Sequence, residues 1–174
     1  MSAKEENLKA SKMAIEASIQ TIEQTLGESK AFRKVDERLY VVRQGSAYVM
    51  LVVLPSKGGR AIVRLAAQVV TGIEMSGGLA LKLLKLNSRL RFGAFGYQEQ
   101  GKVVTLCHSV LGGETLDADE IVTALEDIAV LADEFDDKLV SAGGGSRMED
   151  LLHDEAAARL QAEMEEDEAE SWDE

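Results

Sequence analysis

The chain has a single cysteine, Cys107, so no intrachain disulfide can form. That usage fits a reducing compartment. Only two histidines occur, His108 and His153, in separate segments, and with one cysteine they make no zinc-binding pattern. No stretch approaches the roughly 18 apolar residues of a membrane-spanning helix. The opening MSAKEENLKASK lacks the uninterrupted apolar run of a signal peptide. The cytoplasm is therefore the expected location. Aromatic residues are few, four Phe, three Tyr and one Trp. Phe92, Phe95 and Tyr97 beside Arg89 and Arg91 are accordingly expected to pack rather than to stack on nucleotides.

Cationic excess is absent too. The net charge is −12, but it is unevenly placed: residues 149–174 hold twelve acids and one base, Arg159, while residues 1–148 are nearly balanced with 19 acids and 18 bases. A tail of that sign repels nucleic-acid phosphate and reads as a solvated segment. Neither a nucleic acid nor a membrane is an expected partner. What the chain does have is size and ordinary hydrophobic content, 174 residues at 45%, enough for one domain with a real core.

Residues 3 to 26 read as a helix, with Leu8, Ile15, Ile19, Ile22 and Leu26 on one stripe and Gly27 at its end. A polar stretch from Glu28 to Glu37 leads to a first strand near Leu39–Arg43. Gln44-Gly45-Ser46 is a turn, and Ala47 to Leu54 is apolar at every position, as expected of a strand covered on both faces. Pro55 to Gly59 turns the chain into a third strand near Arg60–Val70, with Val63, Leu65, Ala67 and Val69 on one face and Arg64 and Gln68 on the other. After a glycine-containing loop and a helix, Phe92 to Tyr97 and Val103 to Leu111 form a hairpin. A last helix starts at Asp117, an N-cap candidate with Glu120 three residues on, and carries Ile121, Leu125, Ile128, Ala132, Phe135 and Leu139 on a stripe. Gly143-Gly144-Gly145-Ser146 reads as a flexible linker. Beyond it Met148, Leu151, Leu152, Leu160 and Met164 could make a weak amphipathic helix, and residues from Glu165 are too acidic to pack. The expected fold is α+β: an antiparallel five-stranded sheet with helices in the order α-β-β-β-α-β-β-α. The expected division is a domain over 1–140 and a glycine-rich linker with an acidic tail over 141–174.

The most informative segment is the helix from Leu79 to Leu90. Leu79, Ala80, Leu81, Leu83, Leu84, Leu86 and Leu90 leave only one polar stripe, Lys82, Lys85 and Arg89. A helix packed once on its own sheet needs an apolar arc of roughly 100°. The surplus is either enclosed in one subunit's core or covered by a second copy, and a five-stranded sheet has little left to cover it. A homodimer is the expected state, with Leu79, Leu83, Leu86 and Leu90 at the interface. The basic stripe is a solvated face, or an anchor for an acidic client or for the chain's own tail in a salt-dependent switch.

No catalytic constellation is visible, and no catalytic residue, cofactor or metal is expected. Cys107 and His108 are strand neighbours whose side chains point to opposite faces, so they cannot form a nucleophile pair. Glu114, Asp117, Asp119 and Glu120 suit helix capping and lack calcium-loop spacing. Lys57-Gly58-Gly59 lacks the phosphate-loop pattern.

The run Leu83-Leu84-Lys85-Leu86-Asn87, then Phe92-Gly93-Ala94-Phe95-Gly96, then His108-Ser109-Val110-Leu111 and the acidic helix start Leu116-Asp117, set in this order of elements, resembles the type III secretion chaperone-like fold, most closely its YbjN-like branch. The resemblance covers roughly residues 5–140. It implies a small, non-enzymatic cytoplasmic homodimer, paired through the helix after the third strand, that captures an extended protein segment. The expected client surface is Val49, Leu51, Val53, Phe92 and Phe95, with Lys82, Lys85 and Arg89; strand addition would supply main-chain hydrogen bonds. The other expectation is a regulatory or scaffold protein that binds a folded partner, modulated by its acidic tail.

Overall fold

The computed structural model describes residues 3–153. The elements are α1 (Ala3–Leu26), β1 (Phe32–Asp36), β2 (Leu39–Gln44), β3 (Ala47–Ser56), β4 (Arg60–Thr71), α2 (Gly77–Asn87), β5 (Ala94–Gln98), β6 (Val103–Leu111), α3 (Ala118–Gly143) and β7 (Ser146–Arg147). The strands form one antiparallel sheet in the order β1-β2-β3-β4-β6-β5, with β7 pairing β4. The α+β class and the order of the long elements follow the sequence reading. The sheet has seven strands among the described residues rather than five. The expectations for Leu160, Met164 and the residues from Glu165 lie outside the described residues.

The two added strands escaped notice for physical reasons. In β1, FRKVD, only Phe32 is buried, so no alternation marks it. It is an edge strand, and edges tolerate a polar face. β7 is two residues long, too short for any period.

The interior strands alternate except at the β4 bulge, where Val69 and Val70 are both buried. Val49, Leu51, Val53, Val63, Leu65 and Leu106 point to one face and are essentially fully buried beneath α1 and α3. Ile15, Ile22 and Leu26 of α1 and Ile121, Leu125, Ile128 and Leu139 of α3 complete this core. Leu8 was expected on the α1 stripe but is exposed, because it lies in the second turn, away from the buried part of the helix. Continuous apolar sequence in β3 does not mean two covered faces here. Tyr48, Met50, Val52 and Leu54 lie on the side opposite the helices, half-buried or exposed. Val53 N–H donates to the Arg38 carbonyl at 3.0 Å. Two residues on, Pro55 turns its nitrogen to the same side, past the end of β2, where no donor is needed.

Polar contacts fix the helices. Asp117 caps α3, accepting from Asp119 and Glu120 amides at 2.8 and 3.0 Å. The buried Ser18 hydroxyl donates to the Ala14 carbonyl at 2.7 Å and accepts from the Gly113 amide at 2.8 Å, tying α1 to the loop before α3. At the β2–β3 turn, the Ser46 hydroxyl sits between Asp133 and Asp136 of α3, and its amide donates to Asp133 at 2.7 Å. The Ser46 hydroxyl, then its amide, hold the Asp133 carboxyl below the usual carboxylate range. Glu23 of α1 is lowered likewise, first by its bond from Lys34 at 2.7 Å and then by Tyr40 at 2.9 Å.

The glycines after α3 form a built turn, not a free linker. α3 runs to Gly143, and Gly145 (φ +92°) leads straight into β7. A β-carbon on Gly145 would lie 2.4 Å from the Thr71 carbonyl oxygen. β7 pairs Val70 and Thr71, the end of β4 that outruns β3. Residues 148–153 are then helical. Arg147 binds Asp150 through two nitrogens and reaches Asp137 of α3 at 3.1 Å.

Two outcomes follow. Gly145→Ala strains the backbone and collides with Thr71, so it lowers the thermal midpoint by several degrees, whereas a linker glycine would be neutral. In a carboxyl-resolved NMR titration, Asp133 titrates below its ordinary value and Ser46→Ala moves it upward. A carboxyl depressed by folding stabilises the protein above its unfolded value and loses that contribution as pH falls through the folded one, so the Ser46→Ala gap narrows in acid.

Candidate functional site

Ser76 starts α2 by accepting the Leu79 amide at 3.2 Å, and Ser88 closes it. Lys85 in the last turn suits the negative end of the helix dipole. Three surfaces result from the leucine-rich sequence. Leu79 and Leu83 face inward, each 8% exposed, with Leu86 and Leu90 half-buried against the same core. Lys82, Lys85 and Arg89 occupy the flank towards α3. Leu81 and Leu84 project outward at 51% and 67% exposure.

The position of α2 is set by Asn87. Its side-chain amide donates to the Phe95 carbonyl at 3.0 Å, and its carbonyl accepts from the Phe95 amide at 2.7 Å. One side chain thus pairs both backbone groups of a residue on the edge strand β5. That closes the edge at Phe95 and pins the end of α2 to the sheet. Phe95 itself points inward, its ring 5.4 Å from Phe135 of α3.

Between α2 and α3 this leaves a groove of about 440 Å³. Leu79, Leu83 and Leu86 form one wall; Phe135, Leu139 and Ala142 of α3 form the other. Lys82, Lys85, Arg89 and Lys138 stand around it. Lys138 lies over the Phe135 ring at 4.6 Å and is bonded to Glu134 at 2.5 Å. No carboxylate among the described residues pairs Lys82, Lys85 or Arg89. The groove offers apolar floor and unpaired positive charge. Such a surface suits an amphipathic chain segment with acidic residues at its margins.

Six residues singled out in the sequence meet here: Leu79, Lys82, Leu83, Lys85, Leu86 and Arg89. Leu90 is half-buried beyond the groove, and Phe92 is half-buried with its ring edge-on to His108 at 5.3 Å. Phe95 is buried. Val49, Leu51 and Val53 cannot meet a client, because all three point under α1 and α3; the accessible residues of β3 are their alternates, Tyr48, Met50, Val52 and Leu54. Asn87, Phe135, Lys138, Leu139 and Ala142 were not expected as site residues. The four on α3 show in the sequence as stripe or spacer residues, and nothing there tells which of them face α2.

Other candidates resolve simply. Cys107 pairs with Ala66 and Ala94 on the face away from the helices, while His108 pairs with Leu65 on the other face and accepts the Gly93 amide at Nδ1, 3.2 Å. They are not a hydrogen-bonded pair. Among the described residues no cluster of His, Cys, Asp and Glu has metal-binding geometry, and no helix is long and apolar enough to cross a membrane.

Comparison with known proteins agrees with this architecture. The family model described as T3SS (YopN, CesT) and YbjN peptide-binding chaperone 1 matches residues 15–151. Eleven chains of solved structures match. One, from the crystal structure of the ExsC-ExsE complex, superposes with a TM-score of 0.53 at 19% identity, covering 70% of this chain and 92% of that chain. At that identity the likeness speaks to the fold. No curated protein matches.

Asn87→Ala leaves the Phe95 amide and carbonyl without their partner and frees the end of α2. Urea unfolding should show a loss of about 1–3 kcal/mol, with amide exchange quickened at Phe95 and across α2. Unchanged exchange there would show that α2 is held by packing alone.

Proposed function

Because the chain belongs to the family of T3SS (YopN, CesT) and YbjN peptide-binding chaperones, we propose that it is a non-catalytic homodimeric module that holds an apolar segment of a protein client in the α2–α3 groove. The observation that carries this reading is the groove itself. It is apolar on both walls and surrounded by four cations, three of which have no carboxylate partner among the described residues. Burying apolar surface is the main favourable contribution, offset by the cost of ordering the segment. The cations select acidic neighbours and speed encounter. No reaction is part of the reading: among the described residues nothing near the groove pairs a nucleophile with a base.

The second copy is assigned to the outward flank of α2. Leu81 and Leu84 are exposed leucines that do not line the groove, unlike their sequence neighbours Lys82 and Lys85, and a helix flank repeated by a two-fold axis makes a self-complementary patch. Leu79 and Leu83 serve the subunit's own core instead, with Leu86 and Leu90 at its margin. The cytoplasm suits such a module, whose single thiol needs no oxidant.

A fluorescein-labelled peptide in which leucines are flanked by glutamates should bind, and Lys85→Glu with Lys138→Glu should weaken it at least tenfold, about 1.4 kcal/mol. Equal binding by the charge-reversed protein would remove the groove from the account. In light scattering Leu84→Glu should give monomers while Leu83→Glu should unfold the subunit. A Leu84→Glu protein that kept the mass of the parent would refute the assigned interface.

A further inference from the structure

Among the described residues no helix covers the other face of the sheet, which combines apolar side chains with arginines. Val41, Met50, Val52 and Ile62 make an apolar middle, and Arg33, Arg43 and Arg64 stand on the same side by strand register. Arg43 stacks on Tyr48 at 5.5 Å, and these two with Arg33 and Lys30 border a hollow of about 640 Å³. Arg33 bonds only backbone carbonyls, of Lys30 and Phe32, and Arg64 has no acidic partner among the described residues. A second copy laid face to face here would set arginine against arginine, so an acidic occupant is favoured.

The chain itself brings acid to this place. After β7 the helical residues 148–153 run to the β2–β3 end of the sheet, where Glu149 pairs with Arg43 at 2.8 Å. Twenty-one residues follow, 154–174, with ten acids against one base, Arg159, and with Leu160, Met164 and Trp172 as apolar side chains. Even at the helical rise of 1.5 Å per residue that length reaches about 31 Å. Six strands spaced about 4.8 Å apart span about 24 Å. We infer that the acidic C-terminal segment, residues 154–174, docks on the open face of its own sheet, its carboxylates on Arg33, Arg43 and Arg64 and its apolar side chains on Met50 and Val52. The Glu149–Arg43 pair is the first contact of that docking. The segment shields the exposed sheet from other chains and leaves the α2–α3 groove free. It thereby moves the tail from the Lys82, Lys85 and Arg89 stripe, where the sequence reading offered it as one alternative occupant, to the opposite side of the sheet. This inference does not depend on the proposed client site.

The chain carries its own probes: Trp172 is the only tryptophan, and Cys107, on the open face, is the only cysteine. In the full-length unlabelled protein at low salt, Trp172 should be protected from acrylamide at least threefold relative to a free tryptophan. With an acceptor on Cys107, energy transfer from Trp172 should be strong and should fall at least twofold as salt is raised to about 1 M, where the screening length is about 3 Å. Arg33→Glu with Arg43→Glu should abolish both signals at low salt, and Lys82→Glu with Lys85→Glu should change neither. Release by the Lys82 and Lys85 changes alone would place the segment in the groove and overturn the inference. Full accessibility of Trp172 at every salt concentration in the parent protein would overturn it as well, and that measurement needs no substitution that could impair folding.

Discussion

The stripe of α3 from Ile121 to Leu139 is buried against β3, β4 and β6, and that contact decides what each face of the molecule can offer. Burying Val49, Leu51, Val53, Val63 and Leu65 on one side of the sheet commits their alternates to the other. α3 also supplies the second wall of the groove through Phe135, Leu139 and Ala142, and it clamps the β2–β3 turn through Asp133 and Asp136. Displacing α3 would therefore cost the core, the groove and the turn together.

α2 is a different kind of element. It spends two leucines on the core, two cations, Lys82 and Lys85, on the groove and two leucines on solvent, and a single amide, Asn87, fixes its end to β5. A helix held mostly by one polar clamp and a few leucines is less firmly placed than one embedded by its whole stripe, and a binding groove benefits from a wall of that kind. The other wall, α3, is embedded along its whole stripe. One firm and one adjustable wall suit clients that share character rather than sequence.

Charge is distributed unevenly over the molecule. Positive side chains collect on two surfaces, the groove and the open sheet, while the negative excess is gathered at the C-terminus. A near-neutral domain joined to a strongly acidic segment can cover one basic surface internally and keep the other for partners. In the inferred docking, salt would set the strength of that internal contact because the groups involved are exposed.

Much of the fold was legible in the sequence because periodicity survives without neighbours. The α3 stripe, the Asp117 cap, the hairpin and the leucine-rich helix are all local patterns and all are present, though the hairpin starts at Ala94 rather than Phe92 and α2 stops at Asn87 rather than Leu90. The resemblance added the class of function that the residues by themselves did not specify. The sequence could not say which side of an all-apolar strand faces the core, since Val49 and Met50 look alike until a helix covers one of them. Nor could it recognise an edge strand with one buried residue, a glycine turn that resembles a linker, or a groove made from two helices about fifty residues apart in the chain. Periodicity determines that a face exists, because it is a property of consecutive residues. What lies against that face depends on pairing between distant segments, and only the packed chain decides it.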